Sequence, residues 1–439
     1  MNALPHGALA LSNLDEQILQ PGVKGLPLTA PLRQGAFGVQ GWNVLHGDTS
    51  YPVAVLKASA LQHNLAWMRD FCARHGVQIA PHGKTTMCPQ LFGAQLANGA
   101  WGITLANAVQ VRVADRFGVR RVLIANQLVA RSDVRMVLQL LHDDPGFECV
   151  VLADSLAGVA RLSEEAEAHP LVRRLPVLVE LGLSGKRAGC RTPEEALTVA
   201  RAVERAPGLV LAGFEGYEGL LVSNDREADV RAVADFIARL GALVREADDE
   251  GLFGTREILV TAGGSSYFDL VARGFQDLHG LSRPLVAVLR SGCYLTSDHG
   301  LYHAHIRELD AREGTPAGAG LRPALEIWSV VQSRPEPDLA ILTMGKRDAS
   351  HDAGLPLPLW HHRPGPGAAH ALPDGCTIVK MNDQHAYLRL PEGPVRDMLA
   401  VGDLVGCGIS HPCTTFDRWP LLLAVDDDYA VQFALNTFF

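Results

Sequence analysis

Short apolar segments alternate with amphipathic stretches along the first two thirds of the chain. Eight such segments recur, at intervals usually near thirty residues: Val77–Ala80, Gly102–Leu105, Arg121–Ala125, Glu148–Ala153, Leu175–Glu180, Leu209–Phe214, Glu257–Thr261 and Pro284–Leu289. Most of the intervening stretches have helical periodicity. In Pro193–Arg205, for example, alanines and valines share one face and charged residues the other. This alternation predicts an α/β fold built on a (β/α)8 TIM-like barrel.

The pattern changes on either side of the barrel segments. After Leu325, short apolar segments broken by Pro, Gly and Asp predict a β domain. The predicted strands are Glu326–Gln332, Leu339–Met344, Cys376–Lys380, His385–Leu390, Leu404–Ile409 and Trp419–Val425. Before the barrel we expect an N-terminal arm with one strand at Phe37–Val44, then a strand at Pro52–Leu56 and a helix at Ser59–His75. The predicted domains are a barrel at 50–315 and a second β domain formed by 1–49 and 316–439.

Length and composition narrow the class of protein. The chain has 439 residues, too many for one ordinary core, and its net charge of -9 disfavours a nucleic-acid partner. Its eight cysteines include no CxxC pair, which predicts reduced thiols in a cytoplasmic protein. No apolar run approaches the ~18 residues of a membrane span. The start of the chain lacks a basic segment followed by an apolar block, so we also expect no secretion signal.

The segment Pro81–Thr85 places a lysine directly after the first barrel strand. Active sites of such barrels lie at the carboxyl ends of the strands. Side chains two residues apart on extended backbone point the same way, so His82 and Lys84 can both face the barrel mouth. A lysine there can lose its proton through desolvation and bond to an aldehyde. The alternative, which position alone leaves open, is a solvated surface lysine.

Small residues follow the seventh and eighth strands, in Thr261–Ser266 and Arg290–Tyr294. Barrel phosphates usually bind after these two strands, on backbone N–H groups that small residues leave accessible. One such loop alone would be an ordinary turn, but two at these positions favour a phosphate site. A phosphate site and an amine in one mouth indicate pyridoxal phosphate.

The loop after the fifth strand supplies two further cations. Arg187 can donate to the phenolate oxygen of the cofactor ring, and Lys186 rivals Lys84 for the aldehyde. We favour Lys84, because Lys186 lies farther into its loop.

Near the C-terminus, His411 and Cys413 present a nitrogen and a soft sulfur two residues apart, with His385 as a candidate helper. Such a pair can bind zinc, and two protein ligands leave the remaining positions to water or substrate, as in a catalytic site. The alternatives are a packed cysteine and a capped histidine.

Taken in order, these motifs resemble the metal-activated pyridoxal phosphate enzymes of the D-serine dehydratase and D-threonine aldolase family, which share the alanine racemase-like fold. The resemblance extends from about Tyr51 to Trp419. It rests on Tyr51–Asn64, Pro81–Thr85, Glu180–Gly189, Thr261–Tyr267, Gly292–Tyr294, Thr343–Pro356, Asp383–Ala386 and His411–Thr415. It implies a Schiff base at Lys84 and a hydrogen bond from Arg187 to the ring oxygen. It also implies phosphate binding by Gly263, Gly264, Ser265, Gly292 and Tyr294, and a metal, with zinc expected, at His411 and Cys413.

Some positions depart from the family pattern. Ala80, Thr86 and Met87 stand where family members often carry Arg, His and Lys. The segment Gly213–Gly219 lacks the histidine that many relatives have there, and we assign Tyr217 as a cofactor neighbour.

The resemblance implies β-elimination of a D-3-hydroxyamino acid, in which Lys84 removes the α proton and the metal draws off the β-hydroxyl. D-Serine would give pyruvate and ammonia. The alternative within the family is a D-threonine-type aldolase, which more often has aspartate in the place of Cys413. A racemase and a non-catalytic pyridoxal phosphate carrier are further alternatives. The family also implies a homodimer.

Overall fold

The computed structural model describes residues 9–170, 173–223 and 225–439. The chain forms two compact units. The β unit comprises the residues up to Trp67, Thr85–Asn98 and Cys293–Phe439, and the barrel unit comprises Met68–Lys84 and Gly99–Gly292. The predicted domain ranges of 50–315 and 1–49 with 316–439 remain a proposal. Within the described residues no helix is both long and apolar enough to cross a membrane.

The chain begins with short elements and one long helix. The strands are β1 (Ile18–Leu19), β2 (Leu32–Arg33) and β3 (Val53–Lys57), and the helices are α1 (Ser12–Asp15) and α2 (Ala58–His75). The predicted strand at Phe37–Val44 is wrong, since a 3-10 helix occupies Gln34–Val39. A Cβ on Gly38 would lie 2.3 Å from the Gln432 carbonyl oxygen, so the backbone packs here as only glycine allows.

Eight parallel strands follow, and all eight barrel segments predicted from the sequence are confirmed. They are β4 (Gln78–Ile79), β5 (Ile103–Leu105), β6 (Arg121–Gln127), β7 (Glu148–Ala153), β8 (Leu175–Leu181), β9 (Leu209–Gly216), β10 (Ile258–Ala262) and β11 (Leu285–Leu289). The helices of this region are α3 (Pro89–Ala97), α4 (Ala108–Arg116), α5 (Arg131–Asp143), α6 (Leu156–Ala168), α7 (Pro193–Arg205), α8 (Arg226–Asp249) and α9 (Phe268–Gln276). The strand order is β4, β11, β10, β9, β8, β7, β6, β5.

The segment after β4 closes the sheet into a barrel. The Ala80 N–H donates to the Leu289 carbonyl at 2.8 Å on one side, and the Thr104 N–H donates to the Pro81 carbonyl at 2.9 Å on the other. The interior is filled by apolar side chains from successive strands: Ala80, Leu123, Val150, Leu152, Leu178, Ala212, Leu259 and Val288. The carboxyl ends of all eight strands therefore meet at one end of a packed barrel.

The barrel helices form for local reasons that the sequence shows. In α7 the Thr192 hydroxyl accepts a hydrogen bond from the Glu195 N–H at 3.2 Å, and Pro193 starts the helix. Acidic residues lie in the first turn and Arg205 in the last, which complements the helix dipole. The predicted apolar face of this helix is buried.

The remaining chain builds an antiparallel sheet, as predicted. Its elements are α10 (Leu301–Glu313), β12 (Leu325–Glu336), β13 (Leu339–Leu342), β14 (Leu357–His362), β15 (His370–Ala371), β16 (Thr377–Met381), β17 (Ala386–Arg389), α11 (Val395–Met398), β18 (Leu404–Gly408), α12 (Cys413–Phe416), β19 (Leu421–Val425) and β20 (Val431–Asn436). Together with β3, which pairs in parallel with β19, these strands form one ten-stranded sheet. The sequence pattern does not predict strands β14, β15 and β20.

Candidate active site

Lys84 lies in a short 3-10 turn, Gly83–Thr85, that follows the closing segment of the barrel. Its side chain is exposed, whereas that of His82 is half-buried. Burial lowers the pKa of His82 well below its usual range, and the positive charges of Lys84 and Arg290 lower it further. The imidazole is therefore neutral at physiological pH and lies within the electrostatic influence of the lysine ammonium.

A buried polar network crosses the mouth of the barrel. Its side chains lie at the carboxyl ends of β6, β8 and β9 or directly after β11. The Arg290 guanidinium lies 2.7 Å from a Glu215 carboxyl oxygen, and it also donates to the Gly216 carbonyl at 2.7 Å. Gln127 donates to Glu180, which hydrogen-bonds with Glu215. Polar side chains on four different strands are thus joined at the end of the barrel where catalysis is expected.

Burial raises the pKa of Glu215 to about 8, because the attraction of Arg290 is too weak to offset the loss of solvation. The neighbouring Glu180 adds to this rise, and burial also raises the pKa of Glu180 itself. Both raised pKa values favour the protonated carboxyl, because ionising either group in this desolvated site is costly. Within the described part of the chain, Nε of Arg290 and Nδ1 of His82 are buried without a hydrogen-bond partner.

The loop after β10 forms a cradle of backbone amides at Gly263 and Gly264, hereafter the glycine cradle, and the loop after β11 packs against it. Gly263 has a φ of 104°, which favours glycine, and a Cβ on Gly264 would lie 3.0 Å from the Tyr217 ring. The Ser291 hydroxyl donates to the Gly264 carbonyl at 2.7 Å and so ties the two loops together. The backbone conformation therefore favours glycine at 263, whereas a side chain at 264 would require the Tyr217 ring to shift.

A carboxylate occupies the glycine cradle. The Gly263 and Gly264 N–H groups donate to the two oxygens of Glu218 at 3.1 and 2.6 Å. The Glu218 side chain is fully buried, and burial raises its pKa. The carboxylate stands in for an external oxyanion, which shows that these amides can hold one. The cradle therefore fits the phosphate group of pyridoxal phosphate.

The other predicted cofactor residues of the barrel unit are placed as follows. Arg187 is exposed and lies over the Tyr217 ring, with its guanidinium carbon 5.4 Å from the ring centroid. Since Tyr217 also contacts Gly264, the structure brings these three predicted residues together. Ser265 is half-buried and Gly292 is buried. Lys186, the rival lysine, is exposed in the loop after β8.

In the β unit, the predicted metal residues belong to a set that we call the thiol–histidine cluster: Thr85, Cys293, Asp352, His411, Cys413 and Thr414. Sγ of Cys413 lies 3.5 Å from Sγ of Cys293 and 3.5 Å from Oγ1 of Thr85. His411 hydrogen-bonds with Cys413, and its Nδ1 lies 2.8 Å from Oδ2 of Asp352. The Thr414 hydroxyl donates to the other oxygen of Asp352 at 2.8 Å.

These contacts favour a thiolate beside a protonated imidazole. The hydrogen bond from Cys293 holds the pKa of Cys413 well below its usual range against the effect of burial, and His411 and Thr85 contribute. Burial opposes the charge on His411, but Cys413 and Asp352 outweigh it and raise the pKa of His411 to about 9. The pair is therefore ionised at neutral pH.

The cluster fits a soft divalent cation with two protein ligands. Because Asp352 binds Nδ1 of His411, Nε2 is left for a metal, an arrangement typical of histidine ligands. Among the described residues, no three His, Cys, Asp or Glu side chains are grouped to hold a metal. His385 is exposed in the turn between β16 and β17, and no hydrogen bond of the described residues joins it to His411. The sulfur and nitrogen would leave the other coordination positions open.

The boundary between the two units falls between Lys84 and Thr85. Lys84 ends the segment Met68–Lys84 of the barrel unit, and Thr85 begins the segment Thr85–Asn98 of the β unit. The side chains of Thr86 and Met87, which differ from the family pattern, are buried. The Met87 carbonyl accepts a hydrogen bond from the Phe438 N–H at 2.9 Å, and Tyr294 accepts one on its hydroxyl from Gln95 at 3.4 Å.

The sequence alone did not identify several residues of the buried polar network, the glycine cradle and the thiol–histidine cluster. Glu180, Glu215 and Arg290 each end or follow a buried strand, so a charge at a strand end was a usable signal. Glu218 also follows a strand, but only the folded loop shows that it reaches the glycine cradle. Cys293 lies 120 residues before Cys413 in the sequence, and no spacing pattern connects the two.

Two family descriptions match this chain. Residues 56–266 match "Alanine racemase, N-terminal domain" and residues 324–425 match "Putative serine dehydratase domain". D-Threonine aldolase of Arthrobacter sp is 27% identical over 415 residues, covering 93% of this chain and 95% of the relative. A 3-hydroxy-D-aspartate aldolase of Paracoccus denitrificans (strain Pd 1222) is 25% identical over 348 residues, covering 79% of this chain and 81% of that protein.

The fold is also found among solved structures. The structure of D-threo-3-hydroxyaspartate dehydratase from Delftia sp. HT23 matches with a TM-score of 0.69 and 20% identity, over 89% of this chain and 97% of that one. At this identity the match establishes the fold alone. The barrel with an antiparallel β domain and the predicted family resemblance are therefore both confirmed.

Proposed function

Because the chain joins an alanine racemase N-terminal domain to a serine dehydratase domain, we propose that it is a lyase that uses pyridoxal phosphate and zinc to act on a D-3-hydroxyamino acid. The reaction proposed is β-elimination to a 2-oxo acid and ammonia, with D-serine as the simplest substrate. The observation that carries the proposal is the peptide bond between Lys84 and Thr85. It joins the proposed base to a hydroxyl that contacts the Cys413 sulfur at 3.5 Å.

Each group would hold its own cofactor. The Gly263 and Gly264 amides would bind the phosphate once Glu218 moves away, and Lys84 would hold the aldehyde carbon. Pyridoxal phosphate would supply an electron sink that makes the α C–H of the amino acid acidic. His411 and Cys413 would hold the cation, which would supply positive charge at the β-hydroxyl.

The neighbouring side chains support proton transfer at Lys84. The base must be a neutral amine, and Lys84 and Arg290 both act electrostatically on the His82 imidazole beside it. His82, kept neutral by burial, does not compete with Lys84 for the proton at physiological pH. Thr85 and Cys293 fix the Cys413 sulfur, while Asp352 fixes the ring of His411. Within the β unit, the contacts of Thr85, Cys293 and Asp352 thus hold both proposed cation ligands in place.

The surroundings of Cys413 favour elimination over aldol cleavage. Aldol cleavage needs a base that takes the β-hydroxyl proton. The Cys413 sulfur is hydrogen-bonded with Cys293, Thr85 and His411, and these contacts lower its pKa, which makes it a weak base. At the hydroxyl, elimination needs no base but only charge assistance to the leaving oxygen.

Aldol cleavage is the second candidate, supported by the relative D-threonine aldolase, which aligns over 93% of this chain. D-Threonine distinguishes the two reactions with one substrate. Elimination yields 2-oxobutanoate and ammonia, whereas aldol cleavage yields glycine and acetaldehyde. We expect 2-oxobutanoate and ammonia, lost on chelation and restored by zinc. Glycine with acetaldehyde would establish the second candidate, and activity indifferent to chelation would reject the metal role.

The homodimer implied by the family resemblance is also part of the proposal. Sedimentation equilibrium of the purified chain tests it directly. A mass of twice 47.2 kDa is expected, and a single-chain mass would reject the dimer.

A further inference from the structure

Two thiols of the thiol–histidine cluster lie close enough to be joined by oxidation. The sulfurs of Cys293 and Cys413 are 3.5 Å apart, and both residues belong to the β unit. A disulfide bond is about 2.05 Å long, so the two sulfurs need to approach by only about 1.5 Å. We propose that a hydroperoxide oxidises Cys293 and Cys413 to a reversible disulfide. This disulfide removes Cys413 from metal binding.

The position of Cys413 makes it the first sulfur to react. It is the one cysteine of the eight that is partly exposed, and the other seven are buried. Its sulfur lies 3.5 Å from the Cys293 sulfur, so the thiol that can react with an oxidised Cys413 is already in contact with it. Cys88 and Cys149, in contrast, are buried and less accessible to a hydroperoxide.

The oxidation proceeds in two balanced steps. The Cys413 sulfur attacks the hydroperoxide, the O–O bond breaks, and the products are a sulfenic acid on Cys413 and an alcohol, or water in the case of hydrogen peroxide. The Cys293 sulfur then attacks the sulfenic sulfur, an S–S bond forms, the S–O bond breaks, and the hydroxyl leaves with the Cys293 proton as water. Two thiols are oxidised and one hydroperoxide is reduced. Because the second sulfur is already in place, disulfide formation competes with further oxidation of Cys413.

The metal consequence rests on the proposed function, whereas the disulfide does not. A sulfur held in a disulfide is no longer a thiolate ligand, so the oxidised protein loses one of the two proposed metal ligands. Bound zinc in turn occupies the Cys413 sulfur and protects it from the hydroperoxide. Oxidation and metal binding therefore exclude each other at this residue.

The experiment uses the purified full chain, stripped of metal with a chelator and treated with hydrogen peroxide. We expect loss of two of the eight thiols, a mass lower by two hydrogens, a cross-linked peptide containing Cys293 and Cys413, and full recovery with dithiothreitol. In Cys293→Ser we expect Cys413 to proceed to the sulfinic acid. Cys149→Ser, a matched change of a buried cysteine, should form the disulfide as the wild type does.

Two outcomes in the wild type overturn the inference: Cys413 reaches the sulfinic acid while Cys293 stays a thiol, or the cross-linked peptide contains another cysteine. The wild-type peptide map decides this even if Cys293→Ser does not fold.

A parallel sample loaded with zinc tests the metal role separately. A disulfide that forms equally with zinc present rejects metal binding at Cys413 and leaves the disulfide standing. Absence of any disulfide in the metal-free sample rejects the inference and leaves the proposed function untouched.

Discussion

The Nδ1 atom of His411 lies 2.8 Å from Oδ2 of Asp352. The other carboxyl oxygen of Asp352 accepts from the Thr414 hydroxyl, so the carboxylate is held at both ends. This contact fixes the orientation of the imidazole and leaves Nε2 as the nitrogen that can bind a cation. Asp352 is therefore a positioning residue for the proposed metal site, and its effect can be measured without any assay of turnover.

Asp352→Asn is expected to weaken zinc binding by roughly 10- to 100-fold, because the amide no longer anchors His411 as a charged acceptor. Competition with a chromophoric chelator measures the affinity. Asp374→Asn, a change of an exposed carboxylate in the same unit, serves as the matched control and should bind zinc like the wild type. Equal affinities for wild type and Asp352→Asn would show that the Asp352 carboxylate does not position a metal ligand.

Glu218 is expected to compete with phosphate for the glycine cradle. Glu218→Ala leaves the Gly263 and Gly264 amides without their carboxylate, which should lower the stability of the cofactor-free protein by about 1–3 kcal/mol. Inorganic phosphate or pyridoxal phosphate should then raise the melting temperature of the variant more than that of the wild type. Thermal unfolding with and without each ligand measures both effects.

Glu218→Gln is the matched control for charge, since it keeps an acceptor oxygen but not the carboxylate. We expect it to fall between the wild type and Glu218→Ala in phosphate-induced stabilisation. If phosphate stabilises all three proteins equally, the ligand does not bind at the glycine cradle.

Glu215 should make the stability of the protein depend on pH. Burial raises the pKa of Glu215 in the folded chain to about 8, against a usual value of 4.5. Between these values the folded chain holds a proton that the unfolded chain has released, so the free energy of unfolding falls as pH rises. For one such group, the free energy of unfolding falls by up to about 1.4 kcal/mol per pH unit. The stabilisation is complete below about pH 4.5 and is lost by about pH 8.

Glu215→Gln should remove that slope, because the amide is neutral at every pH. Urea unfolding of the wild type and the variant across the window measures the difference between the two curves. Glu16→Gln, a change of an exposed carboxyl, should leave the wild-type slope intact. Parallel curves for wild type and Glu215→Gln would mean that Glu215 is ionised in the folded protein.

The barrel could be predicted because buried parallel strands produce continuous apolar runs. The segment Glu148–Ala153 was predicted with the bounds that the structure has, since a charged residue and a helix start delimit it. Strand β14 was missed because tryptophan and histidines interrupt its apolar pattern, and both histidines are buried through the fold rather than through local sequence. Local pattern thus identifies strands that are buried on both faces and fails where tertiary packing decides burial.

The candidate site was predictable only in part, for a related reason. Lys84 and the glycine loops follow directly from strand ends, which the apolar pattern locates. The pairing of Arg290 with Glu215, or of Cys293 with Cys413, depends on which strands and loops become neighbours in the folded chain. That information lies in the topology of the sheets, which a single sequence does not specify at the level of side-chain contacts.

The central claim is that Lys84 anchors the cofactor, and borohydride reduction of the protein reconstituted with pyridoxal phosphate tests it most directly. Reduction makes the lysine linkage permanent, so peptide mapping identifies the residue that carries the pyridoxyl group. We predict the label on Lys84, with the visible absorbance of the reconstituted protein lost in Lys84→Ala and kept in Lys186→Ala. Label on Lys186, with absorbance kept in Lys84→Ala, would contradict the account.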